Sequence, residues 1–257
     1  MKPSHQLVAL HTILAKEIRR FARIWMQTIL PSAITVALYF LIMGKFIGSR
    51  IGNVDGYTYI EFIAPGLIMM GIISNSYANS VSSFYSSKFQ RHIEEMLVSP
   101  MPNYIIVLGF VLGGMARGLI VGVAVTLTAL FFTRLEIQSV TLVVVTSILT
   151  AALFSTAGLI NGIFAKSFDD TSIVPTFVLT PLTYLGGIFF SISMLPDFWY
   201  KASQLNPILY MVNSFRMGIL GVSDVDLTVA MSVIIGLLAA LFMTSLYLLN
   251  KGIGIRN

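Results

Sequence analysis

The sequence predicts an all-α protein that crosses a membrane six times, and three observations carry that expectation. Hydrophobic residue types make up 56% of the 257 residues and charged types only 11%, where a soluble domain carries about 25%. Mean hydropathy is +0.86, more apolar surface than a water-soluble globule of this size can hide. The apolar residues also fall into windows close to the ~20 residues that span a bilayer as a helix. A soluble enzyme, a disordered chain and a nucleic-acid-binding domain are thereby excluded, despite a net charge of +5.

The six windows are Ile24–Gly48, Glu61–Phe84, Tyr104–Phe132, Val140–Phe164, Ile173–Ile192 and Leu227–Leu249. The fourth and sixth contain no Asp, Glu, Lys or Arg. The first starts too far along the chain, without a small-residue cleavage site, to be a signal peptide. No repeat, low-complexity stretch or long linker divides the chain, so residues 1–257 read as one membrane domain.

Lys and Arg set the expected orientation. Lys2, Lys16, Arg19, Arg20, Arg23, Lys88, Arg91, Lys166, Lys251 and Arg256 fall on one side of this topology. Only Lys45, Arg50, Arg134, Lys201 and Arg216 fall on the other. The positive-inside rule places both termini in the cytoplasm, and an even number of spans requires them on one side.

Ahead of the first span, Leu7, Leu10, Leu14, Ile18, Phe21 and Trp25 recur every three or four residues, while Lys16, Glu17, Arg19, Arg20 and Arg23 crowd the other faces. That pattern is an amphipathic helix in the cytoplasmic interface, either a plain anchor or a docking surface. After the second span, Phe89, Ile93, Met96 and Leu97 form one stripe, Arg91, Glu94 and Glu95 face elsewhere, and Pro100 and Pro102 end the helix. Residues 87–102 thus predict a short amphipathic helix on the cytoplasmic surface. Its acidic pair is either solvated or in contact with a partner.

The second half of span 2 holds Ser74, Asn75, Ser76, Tyr77, Asn79, Ser80, Ser82 and Ser83. Such density is unfavourable against lipid. It serves helix packing or lines a polar pathway, and Asn75 and Asn79, four apart, share a face. Arg117 interrupts span 3 within Gly113-Gly114-Met115-Ala116-Arg117-Gly118. An Arg at mid-span costs about 2.5–3.5 kcal/mol even on the lenient insertion scale. At ~1.5 Å per residue it sits roughly 20 Å from the cytoplasmic end, against roughly 13 Å for Asn75 and about 35 Å for Glu61. Asn75 is the better neighbour, and a structural, buried polar role is favoured over contact with substrate.

Asp169 and Asp170 precede span 5 and suit a helix N-terminus, although they could also touch a cytoplasmic partner. Pro175 and Pro181 lie inside that span, which breaks at Gly186-Gly187, and Phe177, Tyr184, Phe189 and Phe190 add aromatic surface. Residues 193–219 are too apolar for an exposed loop. Ser193 and Asn206 look like caps, and Pro196 and Pro207 sit near first helical turns, so two short helices should dip into the outer half of the membrane as a re-entrant pair.

The catalytic inventory is poor. There is no cysteine, no Gly-x-x-x-x-Gly-Lys-Ser/Thr phosphate loop and no Gly-x-Ser-x-Gly. His5, His11 and His92 show no metal-ligand pattern. No catalytic residue, metal site or cofactor is expected.

Three stretches carry a resemblance: Phe62-Ile63-Ala64-Pro65-Gly66; Arg91–Pro100 with Glu94-Glu95-Met96-Leu97-Val98-Ser99-Pro100; and Pro181–Arg216 with Asn206, Pro207, Tyr210 and Arg216. In this order and at these spans they resemble the ABC-2 type transporter permeases, over nearly the whole length. The resemblance implies the type V ABC exporter fold and a bacterial inner-membrane location. It also implies a homodimer of permeases paired with two cytoplasmic ATPase subunits, which bind the ATP. Residues 1–23 would be the connecting helix. Lys88–Ser99 would be the coupling helix, reaching the ATPase through Arg91, Glu94 and Glu95. Spans 2 and 5 would line the pathway with Asn75, Asn79, Phe177 and Tyr184, and ATP-driven alternating access would export an amphiphile such as a lipid, glycolipid, polysaccharide or drug.

A stand-alone channel or secondary transporter is the competing reading. Such proteins usually carry intramembrane acids, and here only Glu61 and Arg117 lie clearly inside a span. A structural subunit or an intramembrane enzyme is a third class, and the latter would need a nucleophile or metal set that the sequence lacks.

Overall fold

The computed structural model describes residues 3–254. Lys2, Arg256 and the side chain of Lys45, all used in the charge comparison, lie outside the described residues. Five described helical segments are long and apolar enough to cross a membrane: Trp25–Ile51, Tyr59–Phe89, Asn103–Ala129, Val140–Phe164 and Leu227–Lys251.

Helix α1 (Pro3–Arg23) ends in a break at Ile24 (φ −113°, ψ 30°), and α2 (Trp25–Tyr39) begins at the next residue. A π-helical stretch, Phe40–Ile47, and the short α3 (Gly48–Ile51) complete the first apolar segment. The amphipathic character of α1 is as expected, and the face it packs on the rest of the protein is not its apolar stripe. Ile13, Glu17 and Phe21 are buried, whereas Leu7 and Ile18 are exposed. The partner helix explains this. On α6 (Asn103–Ala129), Gly109 lies against Ile13 and Gly113 against Glu17. Side chains on α1 sink where α6 has none, and Glu17 finds polar partners there that water would otherwise supply.

A two-residue hairpin follows α3: Asn53–Val54 pairs antiparallel with Tyr57–Thr58. Asp55 (φ 51°) and Gly56 (φ 86°) form its turn, the Asp-Gly pair that a tight turn with two left-handed residues favours. Helix α4 (Tyr59–Phe89) starts at Thr58. The Glu61 carboxylate accepts from Thr58 N at 2.9 Å and from the Thr58 hydroxyl at 2.6 Å. Glu61 is therefore engaged in capping the helix.

Helix α4 is the buried centre of the bundle, enclosed by α6 and by α7 (Val140–Phe164). Gly114, Gly118 and Gly122 of α6 meet Ser76, Ser80 and Ile72, and Gly158 of α7 sits on the backbone of Tyr77. Small residues every four positions let apolar helices approach closely. The adjacent Gly113 and Gly114 put one bare position toward α1 and the next toward α4.

The expected helix Lys88–Ser99 is broken. Helix α4 continues to Phe89, Arg91 takes a left-handed conformation (φ 60°), and α5 (His92–Val98) starts after it. Phe89 consequently leaves the apolar stripe and is exposed, while Ile93 is buried against the main bundle.

The expected fifth span, 173–192, is also corrected. It comprises α8 (Asp170–Val174), a π-helical stretch at Pro175–Leu179 and α9 (Thr180–Tyr184). Pro175, which cannot donate a backbone hydrogen bond, opens the π-helical stretch. Fifteen helical residues rise about 22 Å, and Gly187 (φ 73°) then reverses the chain. Asp170, rather than Asp169, organises the helix start, accepting from Lys166 N at 2.8 Å and Ser167 N at 3.1 Å.

Residues 193–219 form α10 (Asp197–Gln204) and most of α11 (Pro207–Leu220). Asn206 caps α11 by accepting from Ile208 N at 3.0 Å. Helix α11 packs against α4, α7 and α12 (Leu227–Lys251).

Candidate functional site

The densest polar arrangement is a ladder between α1 and α4. Asn75, Asn79, Ser83 and Ser87 recur every four residues along one face of α4. Lys16 Nζ donates to Ser87 Oγ at 3.2 Å. Ser83 Oγ donates to Glu17 Oε1 at 2.6 Å. Arg20 Nη2 reaches Glu17 Oε2 at 3.3 Å, Asn79 Oδ1 at 2.8 Å and Asn79 O at 3.2 Å. Higher on α4, Asn75 donates to Ser32 Oγ of α2 at 3.2 Å and to Gly71 O at 3.0 Å. Arg117 Nη2 donates to Asn75 Oδ1 at 3.3 Å.

Glu17 has no solvent exposure. A buried carboxylate is tolerated when a cation and hydrogen bonds replace its water, and Arg20 and Ser83 do so here. The expectation that Glu17 lies on the polar outer face is thus overturned. It escaped a reading of α1 alone because its partners belong to α4.

The four residues expected along a pathway occupy two environments. Asn79 is fully buried and Asn75 nearly so, beneath α1 and α2. Phe177 is 74% exposed. Tyr184 is partly exposed, with its hydroxyl 2.6 Å from that of Tyr39 and its ring stacked on Phe189 at 5.8 Å.

Arg91, Glu94 and Glu95 are exposed around α5. A groove beside them is lined by Tyr85, Lys88, Phe89, Leu97 and Lys166. Lys88 Nζ donates to Ile163 O at 2.7 Å and Ala165 O at 2.9 Å. The Phe168 ring lies 4.8 Å from Tyr85 and 5.4 Å from Phe89. The short helix α5 and the connection after α7 therefore share one packed surface.

At the other end, Arg216 is 1% exposed and lies over the Phe62 ring at 4.0 Å. It donates to Gly187 O at 2.5 Å and stands 3.9 Å from Asp224. Asp224 also accepts from Ile192 N at 3.2 Å and from Ser191 Oγ, and its own amide donates to Asn213 Oδ1. Asn206 Nδ2 donates to Leu182 O at 2.6 Å, Pro207 is the first residue of α11, and Tyr210 donates to Gln204 O at 2.7 Å. Asn213 and Asp224 were not singled out from sequence. Gly66 packs on Ile188, so two of the three distinctive sequence stretches meet in one cluster.

This geometry sits beside clear similarity to known proteins. The sequence profile of the ABC-2 type transporter family matches residues 8–220. The chain belongs to that family. This ABC-2 permease is 54% identical over 250 residues to the inner membrane transport permease YadH of Escherichia coli K12, covering 97% of this chain and 98% of that one. It is 28% identical to nodulation protein J of Sinorhizobium fredii over 179 residues, 69% of this chain and 68% of that one. Nodulation protein J of Rhizobium leguminosarum bv. viciae is 22% identical, with 88% of each chain covered. The permease is thus a multi-pass membrane subunit of an ABC transporter.

Proposed function

We propose that this permease exports an amphiphilic substrate across the bacterial inner membrane, powered by ATP bound to a separate cytoplasmic ATPase chain. Two permeases and two ATPases form the working unit, with both permease termini in the cytoplasm. Residues 170–184 serve as the shortened fifth span, and α10 and α11 act as the re-entrant pair. The observation that carries the reading is the short helix α5, whose Ile93 is buried while Arg91, Glu94 and Glu95 stay exposed. A helix anchored on one face and charged on the other suits a contact that must transmit force.

ATP would close the ATPases and draw the α5 helices together, and the dimer would open outward along α4 and the 170–184 helix. A ligand shifts such an equilibrium only through its differential affinity for the two states. ATP supplies that difference from the partner, and the chain has no phosphate loop of its own. The engagement of Glu61 in a helix cap weighs against a stand-alone ion-coupled transporter.

The test is reconstitution with the cognate ATPase in proteoliposomes, with ATP turnover followed across lipid extracts and drugs. Stimulated turnover and outward movement of one amphiphile class are expected. Transport by the permease alone, driven by an ion gradient, would overturn the reading.

A further inference from the structure

The upper end of the polar ladder has more donors than acceptors. Arg20 and Arg117 bring two like-charged guanidinium groups to successive turns on one face of α4, Arg20 at Asn79 and Arg117 at Asn75. Glu17 is the carboxylate that hydrogen-bonds there, and Ser83 and Arg20 already divide its two oxygens. Arg117 has an uncharged partner, Asn75, at a long 3.3 Å. Among the described residues, Arg20 Nε, Arg117 Nε and Asn79 Nδ2 are buried without a hydrogen-bond partner, and Asn79 itself has no exposure. Buried donors are ordinarily satisfied, and buried like charges repel more strongly in a low-dielectric surrounding.

We propose that this cluster binds the phosphate group of an anionic amphiphile. Guanidinium forks and an amide converging from α1, α4 and α6 match an anion with several oxygens better than a single water, and Arg is the residue suited to phosphate. One anion placed among these donors removes both the surplus positive charge and the missing acceptors. Arg117 is only partly buried, so the cluster is reachable from the side. Trp25 and Met26, just past the α1–α2 break, are 51% and 60% exposed and offer apolar surface to acyl chains. The site needs no ATPase and stands apart from the reading of transport.

The experiment uses the purified full chain in neutral detergent, with thermal unfolding followed on adding phosphatidylglycerol, phosphatidylcholine or millimolar inorganic phosphate. Phosphatidylglycerol should raise the midpoint more than phosphatidylcholine. Arg117→Gln should weaken its apparent affinity about tenfold or more, whereas Arg134→Gln should leave it intact. Asn79→Asp supplies an internal carboxylate, so it should raise the midpoint without lipid and blunt the lipid response. If inorganic phosphate reproduces the effect, the phosphate alone is read. If only phosphatidylglycerol acts, the amphiphile is the ligand. Equal responses to the two lipids in the parent, or a full phosphatidylglycerol response in both Arg117→Gln and Asn79→Asp, would overturn the site.

Discussion

Ser83 of α4 donates a 2.6 Å hydrogen bond to Glu17 of α1, a carboxylate with no solvent exposure. This contact, with Gly113 below it, sets the rotation of the N-terminal helix on the bundle. Replacing Glu17 with Ala leaves Arg20 facing Asn79 without a counter-charge. The loss of hydrogen bonds to a charged group costs about 1.5–3 kcal/mol. Glu17→Ala should lower the unfolding midpoint in detergent and raise protease sensitivity within residues 3–23, while Arg19→Ala, on the exposed side, should do neither.

Gly118 and Gly236 are both glycines within long apolar helices and should respond in opposite directions. A Cβ at Gly118 would collide with Ser76 and approach Ile72 O to 3.0 Å, whereas nothing lies within 4 Å of one at Gly236. Gly118→Ala should reduce folded yield sharply. Gly236→Ala should leave it unchanged or improve it, since Gly inside a helix costs about 0.8–1.0 kcal/mol relative to Ala. Size-exclusion profiles of the two variants measure the contrast.

Glu94 and Glu95 are exposed on α5, and exposed charges contribute within about 1 kcal/mol to stability. At a partner contact, truncating one member of a buried charge pair costs about 2–5 kcal/mol. The double variant Glu94→Ala, Glu95→Ala should therefore insert and fold like the parent but lose co-purification of the ATPase. Normal ATPase retention and export would move the coupling role to Arg91 or the apolar face.

Asp226 caps α12 by accepting from Thr228 N at 2.8 Å and Val229 N at 3.1 Å. The backbone bonds from Val229 and Thr228 hold its carboxyl below the ordinary value. A depressed folded pKa contributes stability that is fully present above the unfolded value, about 3.9, and is lost as pH falls through the folded value. Asp226→Asn should thus be less stable than the parent at neutral pH, with the gap closing under acid. Paired melting curves across that range check the sign.

Much of the helical layout was legible because its causes are local. The length and polarity of Val140–Phe164 and Leu227–Lys251 are properties of contiguous residues, and both match the expected windows closely. The cap at Asn206 and the helix start at Pro207 are likewise local. The Asp55-Gly56 hairpin is equally local, and its dipeptide is a strong turn signal. The break at Arg91 was hidden, because a non-glycine residue with positive φ leaves no mark in a helical periodicity. The shortening of the fifth window to Tyr184 was hidden too, since Leu185–Phe190 is as apolar as a span yet bends back onto α11 and α4.

The sequence by itself determined that this chain is a multi-pass helical membrane protein of the ABC-2 type, because hydropathy over some twenty residues and short motifs are carried by neighbours along the chain. Only the tertiary structure decided that Glu17 faces inward, that Asn79 meets Arg20, and that Phe62 lies under Arg216. The reason is physical: a polar group's place depends on which helix supplies its missing hydrogen bonds, and these partners lie 59 to 154 positions away in sequence.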